Sequence, residues 1–380
     1  MKKPEAAIID FGSEKITVLV GRSSQEGNLL ITTRTESPYA GFADGELLEP
    51  DAVLQSLSRA VNAAEQESGL QIRDVYVGVP GEFTSVSTNE TTLSFKTRKK
   101  ITQEEMNMVY DYANKFGRST KYTLMSRSPI YYQLDDGRAV VDPMNQMSSS
   151  LYGQVSYLFV ENNFKNVVSM ALKNLGMQRF EFLSGNLAEA LFLIEPQVRD
   201  RCAILIDIGY ITSSIMLVKG DGLLFLKSFS IGSGHIAADL STVLEIGFDE
   251  AQKLLGKVNL NLDFDANDVY SVGKNYPAQK VNAIVEARVE DIAEKLKQCF
   301  SSCEMEFPQE TPVFLTGGGL AYLKGGANAL SGYLGRPVTL LTSDYNETKD
   351  PASASAYGVL DLAIKQVKKR PMSFWTKLFG

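Results

Sequence analysis

Two short acidic turns are the residues of this sequence best suited to chemistry. Asp10-Phe11-Gly12-Ser13 follows the apolar pair Ile8-Ile9, and Asp207-Ile208-Gly209 follows Leu205-Ile206; a second apolar run comes after each, at 16–21 and 215–218. An Asp at a strand end, followed by glycine and a small hydroxyl residue, suits an anion. The glycine lets backbone N–H groups approach, the hydroxyl of Ser13 or Thr212 donates, and the carboxylate holds a magnesium-bound water. Alone, either stretch is an ordinary Asx-type turn. Two of them half a chain apart read as a pair of turns that clamp a phosphate chain from both sides, with Mg2+ held through water near Asp10 and Asp207. Lys15 reaches a phosphate in that reading and is a solvated hairpin lysine in the plainer one. A third element is Gly317-Gly318-Gly319, between a buried strand at 313–316 and a helix start. Three glycines in succession let a flat ring or a ribose approach the backbone without a Cβ clash. A fourth is the helix start at 248–253, where Glu250 and Lys253 share a face at i, i+3; by itself that is a common surface ion pair.

Each acidic turn sits between two strand patterns, so the repeat predicts two structurally similar halves. Apolar spacing predicts a helix over 50–68 and a strand over 75–79. From 82 to 161 the texture changes to strands, at 91–97 and 152–160, around one helix at 103–115, which predicts a small inserted subdomain. Helices at 165–175 and 184–194 return to the first half. The second half runs through strands over 203–231, a helical stretch with linker over 237–303, a strand at 313–316 and a final strand-helix pair ending near 365. The fold class expected is α/β, a two-domain chain divided as 1–81 with 162–201, an insert at 82–161, 202–235 with 304–361, a small lobe at 236–303, and a tail at 362–380.

Bulk properties narrow the function. The chain has 380 residues, 44% of them apolar, enough for two domains of ordinary size. A net charge of −7 argues against a nucleic-acid partner, whose phosphates must be met by Lys and Arg. The three cysteines, Cys202, Cys299 and Cys303, are odd in number and lack metal-ligand spacing, which suits thiols in a reducing compartment. No run approaches the roughly 18 apolar residues of a membrane span, so the chain is expected to be soluble and kept inside the cell. Two patterns are set aside. Gly232-Ser233-Gly234-His235-Ile236-Ala237 fits G-x-G-x-x-A but sits late in an antiparallel run, outside a βαβ context. His235 is the only histidine, and no nucleophile motif surrounds it.

Taken in order, a phosphate turn, a second phosphate turn, a helix with Glu250 and Lys253, and a glycine turn for adenosine resemble the actin and seventy-kilodalton-chaperone superfamily. Within it the chain is similar to the FtsA family of bacterial cell-division proteins. The matching stretches are Gly41-Phe42-Ala43-Asp44-Gly45-Glu46, Val75-Tyr76-Val77-Gly78, and 228–240 with its Gly232-Ser233-Gly234 core. The resemblance implies an actin-like two-domain fold whose inserted small α+β subdomain takes part in head-to-tail contacts. It also implies ATP and Mg2+ as ligands, self-assembly into filaments, and recruitment of the tubulin-like division protein FtsZ at the cytoplasmic face of the membrane at the division site. FtsZ's C-terminal peptide is received by the small lobe in that family; the matching helix here is 281–290, with Arg288 as the candidate for an acidic group and a salt bridge to a neighbouring Glu as its alternative. One departure stands out. Where the family's second phosphate turn carries two further glycines, this chain has Tyr210 and Ile211, which disfavour positive φ and weaken the grip on a terminal phosphate. Nucleotide binding rather than hydrolysis is therefore expected, with at most a weak ATPase.

The tail carries its own signal. From 362 to 380 there are five basic residues, Lys365, Lys368, Lys369, Arg370 and Lys377, and no acidic one. Pro371 suits a helix start, and Met372, Trp375 and Phe379 recur at helical spacing beside Phe374 and Leu378. An amphipathic helix lying on anionic membrane lipid accounts for this pattern, with a terminal helix packed on the body of the protein as the alternative. Two other functions share the fold: a pilus-assembly adaptor, which leaves the tail unexplained, and a small-molecule kinase, which needs an intact grip on the γ-phosphate.

Overall fold

The computed structural model describes residues 5–24, 28–117, 119–303, 307–343 and 348–369. Its first sheet orders the strands Arg179–Ser184, Asp74–Val79, Glu5–Phe11, Lys15–Ser23 and Leu29–Pro38. Alternation along the central strands feeds two faces. Ile9, Phe11, Ile16, Val18 and Val20 pack with Val53, Leu57 and Ala60 of the helix Pro50–Ser68. Ala6, Ile8 and Leu19 pack on the other side with Tyr357, Leu360 and Ala363 of the helix Ala354–Lys369. Helices on both faces explain why these strands are apolar throughout. The Pro50–Ser68 helix begins at a proline and stops at Gly69 in the left-handed region (φ 67°), the start and stop its sequence carries.

The second sheet repeats the plan strand for strand: Gly222–Phe229, Ser213–Lys219, Ala203–Ile208, Val313–Thr316 and Val338–Leu340. In each sheet the strand whose next-to-last residue is Asp is antiparallel to its hairpin partner and parallel to the strand on its other side. The register matches too, since Asp10 pairs with Thr17 and Asp207 with Ser214. The sequence echo is a repeat of structure.

Between Asp74–Val79 and Arg179–Ser184 a separate four-stranded sheet forms from Thr84–Lys100, Met147–Glu161, Tyr122–Leu134 and Ala139–Val140. Its helix, Gln103–Ala113, opens on a capping box in which Thr102 and Glu105 exchange side-chain and backbone bonds; it stops two residues before the expected 115. The Tyr122–Leu134 strand escapes sequence reading because Pro129 breaks its pattern. The structure absorbs that proline at a register shift between Gln154 and Val155 of the neighbouring strand. After the second hairpin come the helices Ser233–Leu244, Phe248–Leu255 and Ala278–Ser301. Lys368 and Lys369 end the last helix, whereas Arg370, Met372, Phe374, Trp375, Lys377, Leu378 and Phe379 lie outside the described residues. Among the described residues no helix is long and apolar enough to cross a membrane.

Candidate functional site

The two acidic turns meet across a cleft. Both are closed by the same bond, Gly12 N–H to Lys15 carbonyl at 3.0 Å and Gly209 N–H to Thr212 carbonyl at 2.9 Å. The turns also touch each other, the Ile211 amide donating to Ser13 Oγ at 3.0 Å. Together they line a cavity of about 370 Å3, within the range of small-molecule sites. Of the residues singled out in the sequence, Asp10, Gly12, Ser13, Lys15, Asp207, Gly209, Thr212, Gly317 and Gly318 line it, as does Tyr210. Lys15 also points its ammonium to Glu36, at 2.7 Å.

Glycines make the close approach of these elements possible. Gly41 has φ 82°, and a Cβ there would stand 2.0 Å from the Ser13 carbonyl oxygen. Gly317 has φ 89°, and its Cβ would meet Asp207 Oδ1 at 2.1 Å. A Cβ on Gly319 would meet the carbonyl oxygens of Ile208 and Gly209 at 2.6 and 2.7 Å, and its N–H donates to Ile208. Gly319 thus faces the back of the second turn and is not part of the cavity lining. The triple glycine lets its strand end pack against the Asp207 turn, a closer constraint than the approach of a ring or ribose.

Three of the five carboxyl groups that line the cavity are lifted above the ordinary carboxylate range. Burial pushes Asp10 up to about 6, against a hydrogen bond from Ser355 Oγ at 3.0 Å that favours the charged form. Burial and the neighbouring Asp10 charge push Asp207 up to about 7. Burial, then Asp207 and Asp10, hold Glu189 well above the ordinary range. Glu189 Oε2 and Asn186 Oδ1 are buried without a hydrogen-bond partner, and both residues line the cavity. They come from the helix Gly185–Leu193, capped by Ser184, whose hydroxyl accepts from Leu187 N–H at 3.2 Å. Sequence reasoning missed Asn186, Glu189 and Ser355. A signal was present for two of them, because Asn186 and Glu189, at i, i+3, are the polar side chains of an otherwise apolar helix.

The remaining candidates stand elsewhere. Glu250 and Lys253 lie outside the cavity lining; Glu250 accepts from the Tyr276 hydroxyl and Lys253 is exposed. Arg288 is held by both oxygens of Asp239, at 2.7 and 2.9 Å, and by Asp291 at 3.1 Å, so its salt bridges run to aspartates and not to the neighbouring Glu expected from the sequence. His235 Nδ1 accepts from the Gly232 amide at 3.1 Å and caps its own helix. The cysteines are free thiols, and among the described residues no three His, Cys, Asp or Glu side chains are placed to hold a metal directly.

Comparison with known proteins bears on this geometry. A family model described as "Cell division protein FtsA" matches residues 204–358. Among curated proteins, the cell division protein FtsA of Bacillus subtilis is 21% identical over 370 residues, covering 95% of this chain and 83% of that protein. Its counterpart in Enterococcus faecalis is 24% identical over 367 residues, covering 93% and 82%. Among solved structures, a type IV pilus biogenesis PilM-PilN complex aligns with TM-score 0.63 at 14% identity, covering 96% of this chain and 99% of that one. MreB5 of Spiroplasma citri bound to AMPPNP aligns with TM-score 0.58 at 10% identity, covering 97% and 98%. At such identities the structural matches establish the actin-like fold and nothing finer.

Proposed function

We propose that this chain, which belongs to the FtsA cell-division family, binds ATP with Mg2+ in the cleft between its two sheets, assembles into actin-like filaments, and tethers FtsZ filaments to the cytoplasmic face of the membrane at the division site. The observation that carries the nucleotide reading is the pair of register-matched turns, with Asp10 and Asp207 at equivalent stations, facing one cavity. The residues fit a hydrated divalent cation. Asp10 and Asp207 supply anionic oxygen, and the unpartnered Asn186 Oδ1 and Glu189 Oε2 supply acceptors that water can satisfy. When bound, Mg2+ neutralises phosphate charge in this acidic cavity. Ser13 and Thr212 orient phosphate by hydroxyl donation, and Gly317 and Gly318 keep the adenosine side open.

The chain's own residues support binding more than turnover. Tyr210 and Ile211 restrict the second turn, so the grip on a terminal phosphate is weak. Glu250 and Lys253, proposed from the sequence as further nucleotide contacts, would have to act from outside the cavity lining. The membrane role rests on the basic, aromatic segment at 368–379, and the FtsZ role on the small-lobe helix bearing Arg288. Head-to-tail contacts are assigned to the inserted subdomain, with the domain limits given above. One experiment tests the tether as a whole. Preformed FtsZ filaments are centrifuged with anionic liposomes in the presence of the full chain and ATP. FtsZ should float with the lipid when the full chain is present and lose that association when residues 371–380 are deleted; equal flotation with the deleted chain rejects the proposal.

A further inference from the structure

We propose that the inserted subdomain locks the two halves against each other, so that the turns at Ser13 and Ile211 part, and the cavity opens, only when the tip of the hairpin at 213–229 comes away from the insert. The insert leaves and rejoins the chain within the first half, and its root is buried there. Phe83 stacks on Phe164 with ring centroids 4.5 Å apart, and Phe83 and Val160 both belong to the core under the helix Pro50–Ser68. Two residues before Val160 on the same strand, Leu158 belongs to a different core, packed with Leu205, Met216, Val218 and Leu223 of the second sheet. Side chains on one face of a single strand are therefore seated in the cores of both halves. Pairing of that strand with Thr84–Lys100 runs unbroken through both positions, Leu158 opposite Val86 and Val160 opposite Thr84.

The hairpin tip meets the insert backbone to backbone. Gly220 has φ 56°, and a Cβ there would stand 2.0 Å from the Ile130 carbonyl oxygen. At Gly222 a Cβ would stand 2.8 Å from Ser156 Cβ and 3.0 Å from Ile130 Cγ1. Ser156 Oγ donates to the Leu223 carbonyl at 2.7 Å, and the Asp221 amide donates to the Pro129 carbonyl at 3.2 Å. The buried Arg199, in the segment that crosses between the halves, fixes the same tip from its other side. Its guanidinium donates to the Gly220 carbonyl at 3.0 Å and to Asp221 at 2.8 Å. Close-packed contacts of this kind are either seated or released, with little room for intermediate positions.

The other end of the hairpin reaches the cavity. Its first strand, Ser213–Lys219, begins next to Thr212 of the second turn and ends at the seated tip, about 20 Å away at roughly 3.3 Å per residue. Ser214 lines the cavity, and a Cβ on Gly81, at the root of the insert, would meet Ser214 Oγ at 2.7 Å and Ser228 Oγ at 2.4 Å. Glu82 then bridges the halves, accepting from Ser230 Oγ at 2.8 Å and from the Gly45 amide at 2.9 Å. Parting the turns moves the second one together with its hairpin. That movement pulls Ser230 from Glu82 and drags the tip across Ile130 and Ser156, so entry to the cavity is governed from a contact a strand length away.

The test is amide hydrogen exchange of the full chain without added nucleotide, resolved to the Ile211 amide, whose acceptor Ser13 Oγ lies on the opposite half. Ser156→Ala removes one bond to the seated tip and should speed that exchange by about fivefold, as for one hydrogen bond lost. Gly222→Ala, which pushes the tip from Ser156 and Ile130, should speed it further. Gly335→Ala is the control, since it strains the second half where nothing stands within 4 Å of the added Cβ, and it should leave Ile211 exchange unchanged. Faster exchange of the tip amides at 220–223 with an unaltered Ile211 amide would show that tip and turns open separately, and would overturn the proposal. Equal acceleration by Gly335→Ala would assign the effect to general loosening and overturn it as well. The measurement needs no ligand, so its outcome is independent of the nucleotide reading of the cleft.

Discussion

Asp10 and Asp207 occupy the same station in the two sheets, one pair before the end of their strands, and the charge of Asp10 opposes that of Asp207 across the cleft. Their carboxyls are lifted from the ordinary 3.8 to about 6 and about 7. A carboxyl whose pKa is raised by folding holds its proton more tightly folded than unfolded. Between about pH 4 and 7 the folded chain therefore carries the extra protons, and stability falls as pH rises through that window. In the absence of divalent cations, thermal denaturation should show a higher midpoint at pH 5.5 than at pH 7.5. Asp207→Asn should flatten this dependence and raise the midpoint at pH 7.5 by an amount reflecting a few kcal/mol, while weakening Mg-nucleotide binding. A midpoint that climbs with pH over this range, in both proteins, would contradict the account.

The glycine turn makes a second prediction because its residues are not equivalent. Gly317 and Gly335 both hold φ in the left-handed region, at 89° and 67°. At Gly335 nothing stands within 4 Å of an added Cβ, whereas at Gly317 Asp207 Oδ1 stands 2.1 Å from it. Gly335→Ala should cost about 1 to 2 kcal/mol, the price of the backbone conformation alone. Gly317→Ala should cost at least 1 kcal/mol more and also reduce nucleotide affinity, since it displaces the Asp207 carboxylate. Urea denaturation of the two variants checks the difference, and similar losses at both positions would show that the Asp207 contact carries no energy.

How much of this was legible beforehand follows from where the information lies. The paired turns are local patterns, a few residues long, so Asp10, Gly12, Asp207 and Gly209 could be found without knowing the fold. Glu189 reaches the same cavity through packing of its helix, from a strand order that places Arg179–Ser184 beside Asp74–Val79. Periodicity does not encode that order. The triple glycine was found, but its neighbours were not, because the contact needs Thr316 aligned with Asp207 in parallel register. Lys15 could be read either way until the Leu29–Pro38 strand brought Glu36 to it.

Catalysis should answer to the second turn. Positive φ is costly for Tyr210 and Ile211 and open to glycine, so the Tyr210→Gly, Ile211→Gly double variant can close its backbone on a terminal phosphate. Steady-state phosphate release should then be faster in the variant than in the unaltered chain, by about a hundredfold or more if one oriented hydrogen bond to the transferring group is restored. Equal rates would mean that the bulky turn does not limit hydrolysis.

Arg288 poses a competition. Its guanidinium is engaged bidentately by Asp239, both side chains being about one-quarter exposed, with Asp291 on the same helix as a third member. Such a partly exposed, well-oriented pair is worth about 1 kcal/mol, and a double-mutant cycle of Arg288→Ala with Asp239→Ala should return a coupling of that size. If an acidic FtsZ peptide uses Arg288, it must draw the guanidinium from Asp239, so Asp239→Asn should tighten peptide binding while Arg288→Ala weakens it. Fluorescence anisotropy with the FtsZ C-terminal peptide reads both. Unchanged affinity in both variants would leave Arg288 as a brace between two helices.

The tail closes the set. Five apolar side chains, Met372, Phe374, Trp375, Leu378 and Phe379, at roughly 1.5 to 3 kcal/mol each, supply on the order of 10 kcal/mol before the cost of ordering a short helix. Each basic residue near an anionic leaflet adds about 1 kcal/mol, and that part is screened by salt. Trp375→Ala should therefore weaken liposome binding at every salt concentration, whereas replacing Lys368, Lys369 and Arg370 by Gln should weaken it at low salt and leave the high-salt binding nearly unchanged. If single tails bind reversibly and the chain assembles into filaments as proposed, binding should also steepen with protein concentration once filaments form. Co-sedimentation with vesicles of defined anionic content, across a salt series, separates the two contributions; identical salt dependence in the charge variant and the unaltered chain would exclude an electrostatic role for the basic cluster.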